Sequence, residues 1–137
     1  MILVSACLLG ENCKYNGKNN LSTKICEYLK DKEYKAVCPE IEGGLSTPRE
    51  PCEIKSGRVY TKSGIDVTDA FKRGAESILN IAKSIGADTV ILKQRSPSCG
   101  YGKIYDGTFQ GRIIVGNGLT AELLIKNGIK VLTEDDF

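Results

Sequence analysis

The chain has 137 residues, of which 41% are hydrophobic and 26% charged, with a formal net charge of +2 and no histidine. Such a chain fits one ordinary globular domain, residues 1–137, that can bury roughly two-thirds of its unfolded surface, and its charge argues against an obligate polyanion binder. Without histidine, Ser–His–Asp triads, Cys–His nucleophile pairs and histidine-bearing metal sites are excluded, so any metal must be held by thiolates or carboxylates.

Residues 1–6 are apolar almost throughout and predict a first strand covered on both faces. This start has no basic n-region and too short an apolar run for a signal peptide or a membrane span, so the expectation is a cytosolic protein with no membrane partner. A loop follows through Gly10 and Gly17. Ser22 or Thr23 is then placed to cap a helix reaching Lys32, with Ile25, Tyr28 and Leu29 as its buried stripe. Residues 34–38 predict a second strand.

Residues 39–64 read as a long loop punctuated by Pro39, Gly43, Gly44, Pro48 and Pro51. A small hairpin over Glu53–Thr61, turning at Ser56-Gly57, is embedded in it. Loops of this length in compact domains are usually functional or disordered, and the hairpin favours function. Asp66 to Ile85 is the clearest helix. Asp66 is its candidate N-cap, Phe71, Ala75, Ile78, Leu79, Ala82 and Ile85 share a face, and Gly86 ends it. Residues 88–93 predict the third strand. Asp106-Gly107 between 103–105 and 108–110 predicts a second hairpin. Thr120 caps a last helix to Asn127, and Ile129 to Leu132 is the last strand. Strands alternating with helices imply an α/β fold: one open, mainly parallel, four-stranded sheet in flavodoxin-like order 2-1-3-4, flanked by helices and carrying two hairpin insertions.

Six cysteines are many for a cytosolic chain of this size. A disulfide framework is disfavoured because nothing suggests secretion. Cys26, on the apolar face of the first helix, reads as a small core hydrophobe, and Cys52 has no evident role. Cys13 shares a loop with Cys7, so it is either structural or auxiliary to a site. Cys7, Cys38 and Cys99 differ from these. Each lies just past the carboxyl end of a strand, the edge where open parallel sheets bind ligands. Three thiolates without histidine suit iron–sulfur or zinc. No C-x-x-C pair of a closed zinc site and no familiar ferredoxin spacing is present. Three ligands on three strands leave one coordination position open, as a Lewis-acid catalyst requires. A low-molecular-weight tyrosine phosphatase reading of the first loop fails. It needs an arginine six residues after the nucleophile, where this chain has Cys13 and then Lys14, which lacks the planar fork.

Several ordered motifs together resemble the thiouracil desulfurase family. They are Ser5-Ala6-Cys7-Leu8-Leu9-Gly10, Cys38-Pro39-Glu40 with Gly43-Gly44-Leu45 and Pro48-Arg49, Asp66-Val67-Thr68, Ser96-Pro97-Ser98-Cys99-Gly100, and Tyr105-Asp106-Gly107-Thr108-Phe109. The resemblance runs through essentially the whole chain. It implies a non-redox desulfidase carrying a [4Fe-4S] cluster on Cys7, Cys38 and Cys99, with one iron open to the sulfur of a thiolated pyrimidine. Water then replaces that sulfur and sulfide is released. Cys52 and Asn16 depart from the family's pattern without touching these positions.

That chemistry needs a base for water. Glu40, two residues after Cys38, is the first candidate, since a partly buried carboxylate can be tuned toward neutrality. Ser96 is the candidate to position water or bond the base ring, with Ser98 behind it; ordinary loop capping is the alternative for both. Lys93, Arg95 and Arg49 are open between cluster or phosphate partners and solvated edge charges. Gly116-Asn117-Gly118 is open between a ligand cradle and a plain turn. The substrate expected is a 2-thiouracil-like base, nucleoside or nucleotide. A tRNA substrate has no basic stripe to support it. The competing reading is a non-catalytic module that binds a metal or passes sulfur to a partner.

Overall fold

A computed structural model describes residues 1–137. Four strands build its main sheet: β1 (Ile2–Ser5), β2 (Tyr34–Val37), β5 (Thr89–Leu92) and β8 (Lys130–Thr133). All neighbours are parallel and their order is β2-β1-β5-β8, the 2-1-3-4 arrangement expected from the alternation of strands and helices. Their alternate residues supply two separate cores, as the period of a strand dictates. Leu3, Val90, Leu92 and Val131 pack with Ile78 and Ala82 of α3 (Thr68–Ile85) and Leu124 of α4 (Leu119–Lys126). Val4 and Ile91 face the other way, onto Ile25 and Leu29 of α1 (Thr23–Leu29). The sheet is thus covered on both faces, which is why these strands carry apolar runs.

Several expected boundaries move. Ser22 does cap α1, accepting from the Ile25 N–H at 3.3 Å, but the helix ends at Leu29 rather than Lys32. Cys26 is exposed, not on the core face, because the buried stripe is carried by Ile25 and Leu29. Tyr28 is 37% exposed and stacks edge-on against Phe137 instead of entering the core. Asp66 serves α3 from two residues upstream: its carboxylate accepts from the Thr68 N–H at 2.9 Å and hydroxyl at 2.6 Å. Thr120 does not cap α4. Its hydroxyl is buried without a partner, and the helix's first N–H groups donate to carbonyls of the Pro97–Ser98 loop instead.

The long loop after β2 contains a helix that periodicity could not reveal, α2 (Pro39–Glu42). Its four residues press onto α3 through Gly43 and Gly74, where an added Cβ would lie 2.1 Å from Ala70 O and 2.0 Å from Pro39 O. The first hairpin is β3 (Cys52–Lys55) with β4 (Arg58–Thr61), turning at Ser56-Gly57 as expected but beginning one residue earlier, at Cys52. The second differs more. β6 (Lys103–Tyr105) pairs with β7 (Ile113–Val115), not with 108–110. The reason lies in two sets of bonds: Asp106 Oδ1 turns forward to accept from Thr108, and the Gly107 and Phe109 N–H groups donate to the distant Glu53. Asp-Gly therefore opens a wider loop rather than closing a two-residue turn. No helix is long and apolar enough to cross a membrane.

Candidate active site

Three loops leave the carboxyl edge of β2, β1 and β5, and they bring Cys38, Cys7 and Cys99 to a single cavity of about 450 Å³. Cys7 sits on a short 3-10 turn, Ala6–Leu9, that continues β1. The chain folds back on this turn, with the Asn20 N–H donating to Cys7 O at 2.9 Å and the Ser22 N–H to Leu8 O at 2.8 Å. Cys38 is the N-cap residue of α2, with Pro39 at the first helical position, where a missing N–H costs nothing. Cys99 is buried in a loop held by the start of α4. There Leu119 donates to Pro97 O at 2.9 Å, and Thr120 and Ala121 donate to Ser98 O at 2.9 and 3.2 Å. The orphan donors of a helix end thereby fix the Cys99 loop.

The sulfurs have distinct surroundings. Asn20 Nδ2 donates to Cys7 Sγ at 3.5 Å, and Ser5 Oγ donates to Cys99 Sγ at 3.5 Å. Cys13 reaches into the same cavity and its thiol donates toward both Cys7 and Cys38. That donation, with the Asn20 amide, holds the Cys7 thiol below its ordinary range against the opposing effect of burial. Cys38 is lowered to about 7, first by Cys13 and further by the Ile41 N–H. Cys13 itself is pushed far up, because its proton is shared with two neighbours. Burial pushes Cys99 up to about 12, against the hydrogen bond from Ser5. Cys52 also lines the cavity, and burial raises it to about 12. No three cysteine or carboxylate side chains are grouped to hold a single metal ion.

Glu40 stands in the first turn of α2 with its side chain 15% exposed. Its Oε1 accepts from Arg49 Nε at 3.0 Å and its Oε2 from Ser98 Oγ at 3.0 Å. Since Ser98 has one proton and gives it to Glu40, the 2.8 Å contact between the two serine hydroxyls is donated by Ser96. A hydroxyl relay therefore runs Ser96 to Ser98 to Glu40. Ser96 Oγ also accepts from the backbone N–H groups of Ser98 and Cys99, both at 3.1 Å, so it caps its own loop as well.

Arg49 is neither a solvated edge charge nor free for a phosphate. Its guanidinium, 9% exposed, also donates to Cys13 O at 2.9 Å and to Ser46 O and Thr47 Oγ1 at 3.1 Å. It ties the Cys13 loop to the carboxylate beside Cys38. Lys93 is likewise engaged, pairing with Glu134 at 2.7 Å. Arg95 lines the cavity and is exposed. Gly116-Asn117-Gly118 is a turn whose donors are spent on Gly100, Gly102 and Glu122. Nothing in local spacing brings residues 40 and 49 together, so the Arg49–Glu40 pair was not legible in the sequence.

A family model described as 2-thiouracil desulfurase matches residues 2–136. The chain belongs to the 2-thiouracil desulfurase family. Among the chain's relatives is the Bacillus subtilis (strain 168) protein described as uncharacterized protein YbbK, 47% identical over 146 residues, covering 99% of this chain and 97% of that one. Among solved structures, the [4Fe-4S]-dependent thiouracil desulfidase TudS superposes with a TM-score of 0.93 at 43% identity, covering 99% of this chain and 91% of that one. The α/β sheet of this desulfurase-family chain is the fold of that enzyme.

Proposed function

We propose that the chain is a [4Fe-4S]-dependent desulfidase acting on a thiolated pyrimidine: a 2-thiouracil-like base, nucleoside or nucleotide. The observation that carries this reading is the convergence of Cys7, Cys38 and Cys99 with Glu40 in one cavity at the sheet edge. The donor set fits such a cluster. It offers Cys7, Cys38 and Cys99 from three separate loops, the first two held toward the thiolate form. Bound to those thiolates, the cluster would supply one iron without a protein ligand, a soft Lewis acid for the thiocarbonyl sulfur.

The protein's own residues supply the proton chemistry. Glu40 accepts a proton from the water that adds to the thiocarbonyl carbon, and Ser96 and Ser98 carry hydrogen-bond polarity toward that carboxylate. Arg49 holds the carboxylate in one orientation, so the base does not swing away. The carbon–sulfur bond breaks as a carbon–oxygen bond forms. Sulfur leaves as hydrogen sulfide, and no net electron is transferred. Cys13 donates to the thiolates rather than replacing them.

The test is an anaerobic preparation assayed for iron, acid-labile sulfide and release of sulfide from 2-thiouracil. Cys7→Ala, Cys38→Ala and Cys99→Ala are each expected to lose cluster and turnover. Cys26→Ala and Cys13→Ser are expected to keep the cluster. A colourless protein that binds zinc, or retention of full activity after chelator treatment, would sink the desulfidase reading in favour of a non-catalytic metal or sulfur carrier.

A further inference from the structure

We infer that Phe109 is the platform on which the substrate's conjugated ring stacks, held ready by Glu53; the inference rests on the desulfidase reading and gives it a specificity-determining residue. The cavity is also lined from β6, the β6–β7 loop and the β3–β4 hairpin, through Tyr105, Phe109 and Glu53. Phe109 has φ of 57°, a conformation that bulky L-residues avoid. Only three non-glycine residues have positive φ, and two of them, Arg95 and Phe109, line this cavity. The third, Ser56, belongs to a hairpin turn. Backbone strain of this kind gathers where a side chain must be aimed.

The strained backbone is held by Glu53. Glu53 is 9% exposed, and one of its carboxylate oxygens accepts from both the Gly107 N–H at 3.0 Å and the Phe109 N–H at 3.1 Å. Asp106 Oδ1 accepts from the Thr108 N–H at 2.9 Å and hydroxyl at 2.6 Å. The loop also seats directly on β3, where a Cβ at Gly107 would meet Ile54 O at 2.8 Å. A nearly buried carboxylate and a strained aromatic are both costly, and the arrangement they produce is a half-buried phenyl ring on the wall of a polar, thiol-lined site. Such a ring cannot read exocyclic groups. It reads a flat π-surface, and it does so for any pyrimidine.

The experiment uses the cluster-loaded enzyme with two probes, 2-thiouracil and 5,6-dihydro-2-thiouracil, which keeps the thiocarbonyl but lacks ring conjugation. Phe109→Ala is expected to raise KM for 2-thiouracil about tenfold to a hundredfold with kcat little changed, the range of a lost base–aromatic stack. The wild-type preference for the conjugated probe should collapse in that variant, and Phe109→Tyr should restore both. Phe109→Gly should lose affinity equally yet melt no lower than wild type, because glycine accepts a φ of 57° without strain. Unchanged KM in Phe109→Ala, or equal losses for both probes, would overturn the platform. Were the wild-type enzyme to convert neither probe, the desulfidase reading would fall, and equilibrium dialysis with 2-thiouracil would decide the platform alone. Weaker binding by Phe109→Ala supports it and equal binding refutes it.

Discussion

Gly74→Ala makes a sharp test of how the Cys38 loop is built. Gly74 is in the middle of α3, where alanine is intrinsically the better helix former by about 1 kcal/mol. Helix propensity alone therefore expects a gain. The packing expects a loss. A Cβ at position 74 would lie 2.0 Å from Pro39 O and 2.9 Å from the Pro39 carbonyl carbon, both backbone atoms with no rotamer to escape into. Restoring ordinary contact at about 3.4 Å requires α2 to retreat by about 1.4 Å. Overpacking typically costs about 1–3 kcal/mol, and backbone against backbone belongs at the upper end. Setting about 3 kcal/mol of strain against about 1 of propensity leaves a net loss near 2 kcal/mol. For a chain of this length that lowers Tm by about 8 °C.

The same retreat moves Cys38, because that residue is the N-cap of α2. Iron per chain after anaerobic purification should therefore fall together with Tm. Thermal melts followed by circular dichroism, beside iron assay, would measure both. Asn80→Ala, on the exposed face of α3, is the control for propensity alone and should leave Tm level or slightly raised. Should Gly74→Ala melt as high as that control and keep its iron, the close approach of α2 and α3 would not hold the loop.

Two further expectations concern single side chains. Glu40→Gln preserves shape but not basicity, so kcat should fall by about 10²–10⁴ while iron content stays at the wild-type level; turnover at the wild-type rate would remove Glu40 from the proton pathway. Asp66 is held well below its usual value of 3.8 by Arg58 and by the Thr68 hydroxyl and N–H. A depressed folded value stabilises above the unfolded value and is lost as pH falls through the folded one. Asp66→Asn should accordingly lower Tm at neutral pH, with the gap closing as pH drops below about 4; a gap that stays constant to pH 2 would show that the charge contributes nothing.

The sheet order was legible because local sequence and global fold agree. Apolar runs at residues 2–5 and 89–92 need cover on both faces, and the helices between them provide it. The edge position of Cys7, Cys38 and Cys99 was legible for the same reason, since each follows such a run. What was hidden depends on contacts without a period. α2 has only four residues, too few to show a helical stripe, and its existence rests on packing against α3. The second strand of the far hairpin was misplaced because Asp106-Gly107 bonds forward and to Glu53, a residue more than fifty positions away. Thr120 looked like a cap because its spacing is right. The true partners of those N–H groups are carbonyls of the Cys99 loop, which belong to another part of the sequence.

These hidden contacts share one physical task. Three thiols carried on three loops have no mutual attraction to bring them together, and hydrophobic burial alone would pull a cysteine into the core rather than hold it at an edge. Each loop is instead tied from behind by directional bonds: the first by the return of Asn20 and Ser22, the second by α3 beneath α2, the third by the open end of α4. The Arg49–Glu40–Ser98 chain then links the second loop to the third, and Arg49's bond to Cys13 O links it to the first. A largely buried ion pair is a poor way to gain stability, because desolvation offsets most of the attraction. Its value here is positional: one guanidinium and one carboxylate tie all three loops together, and so brace the frame around the thiols.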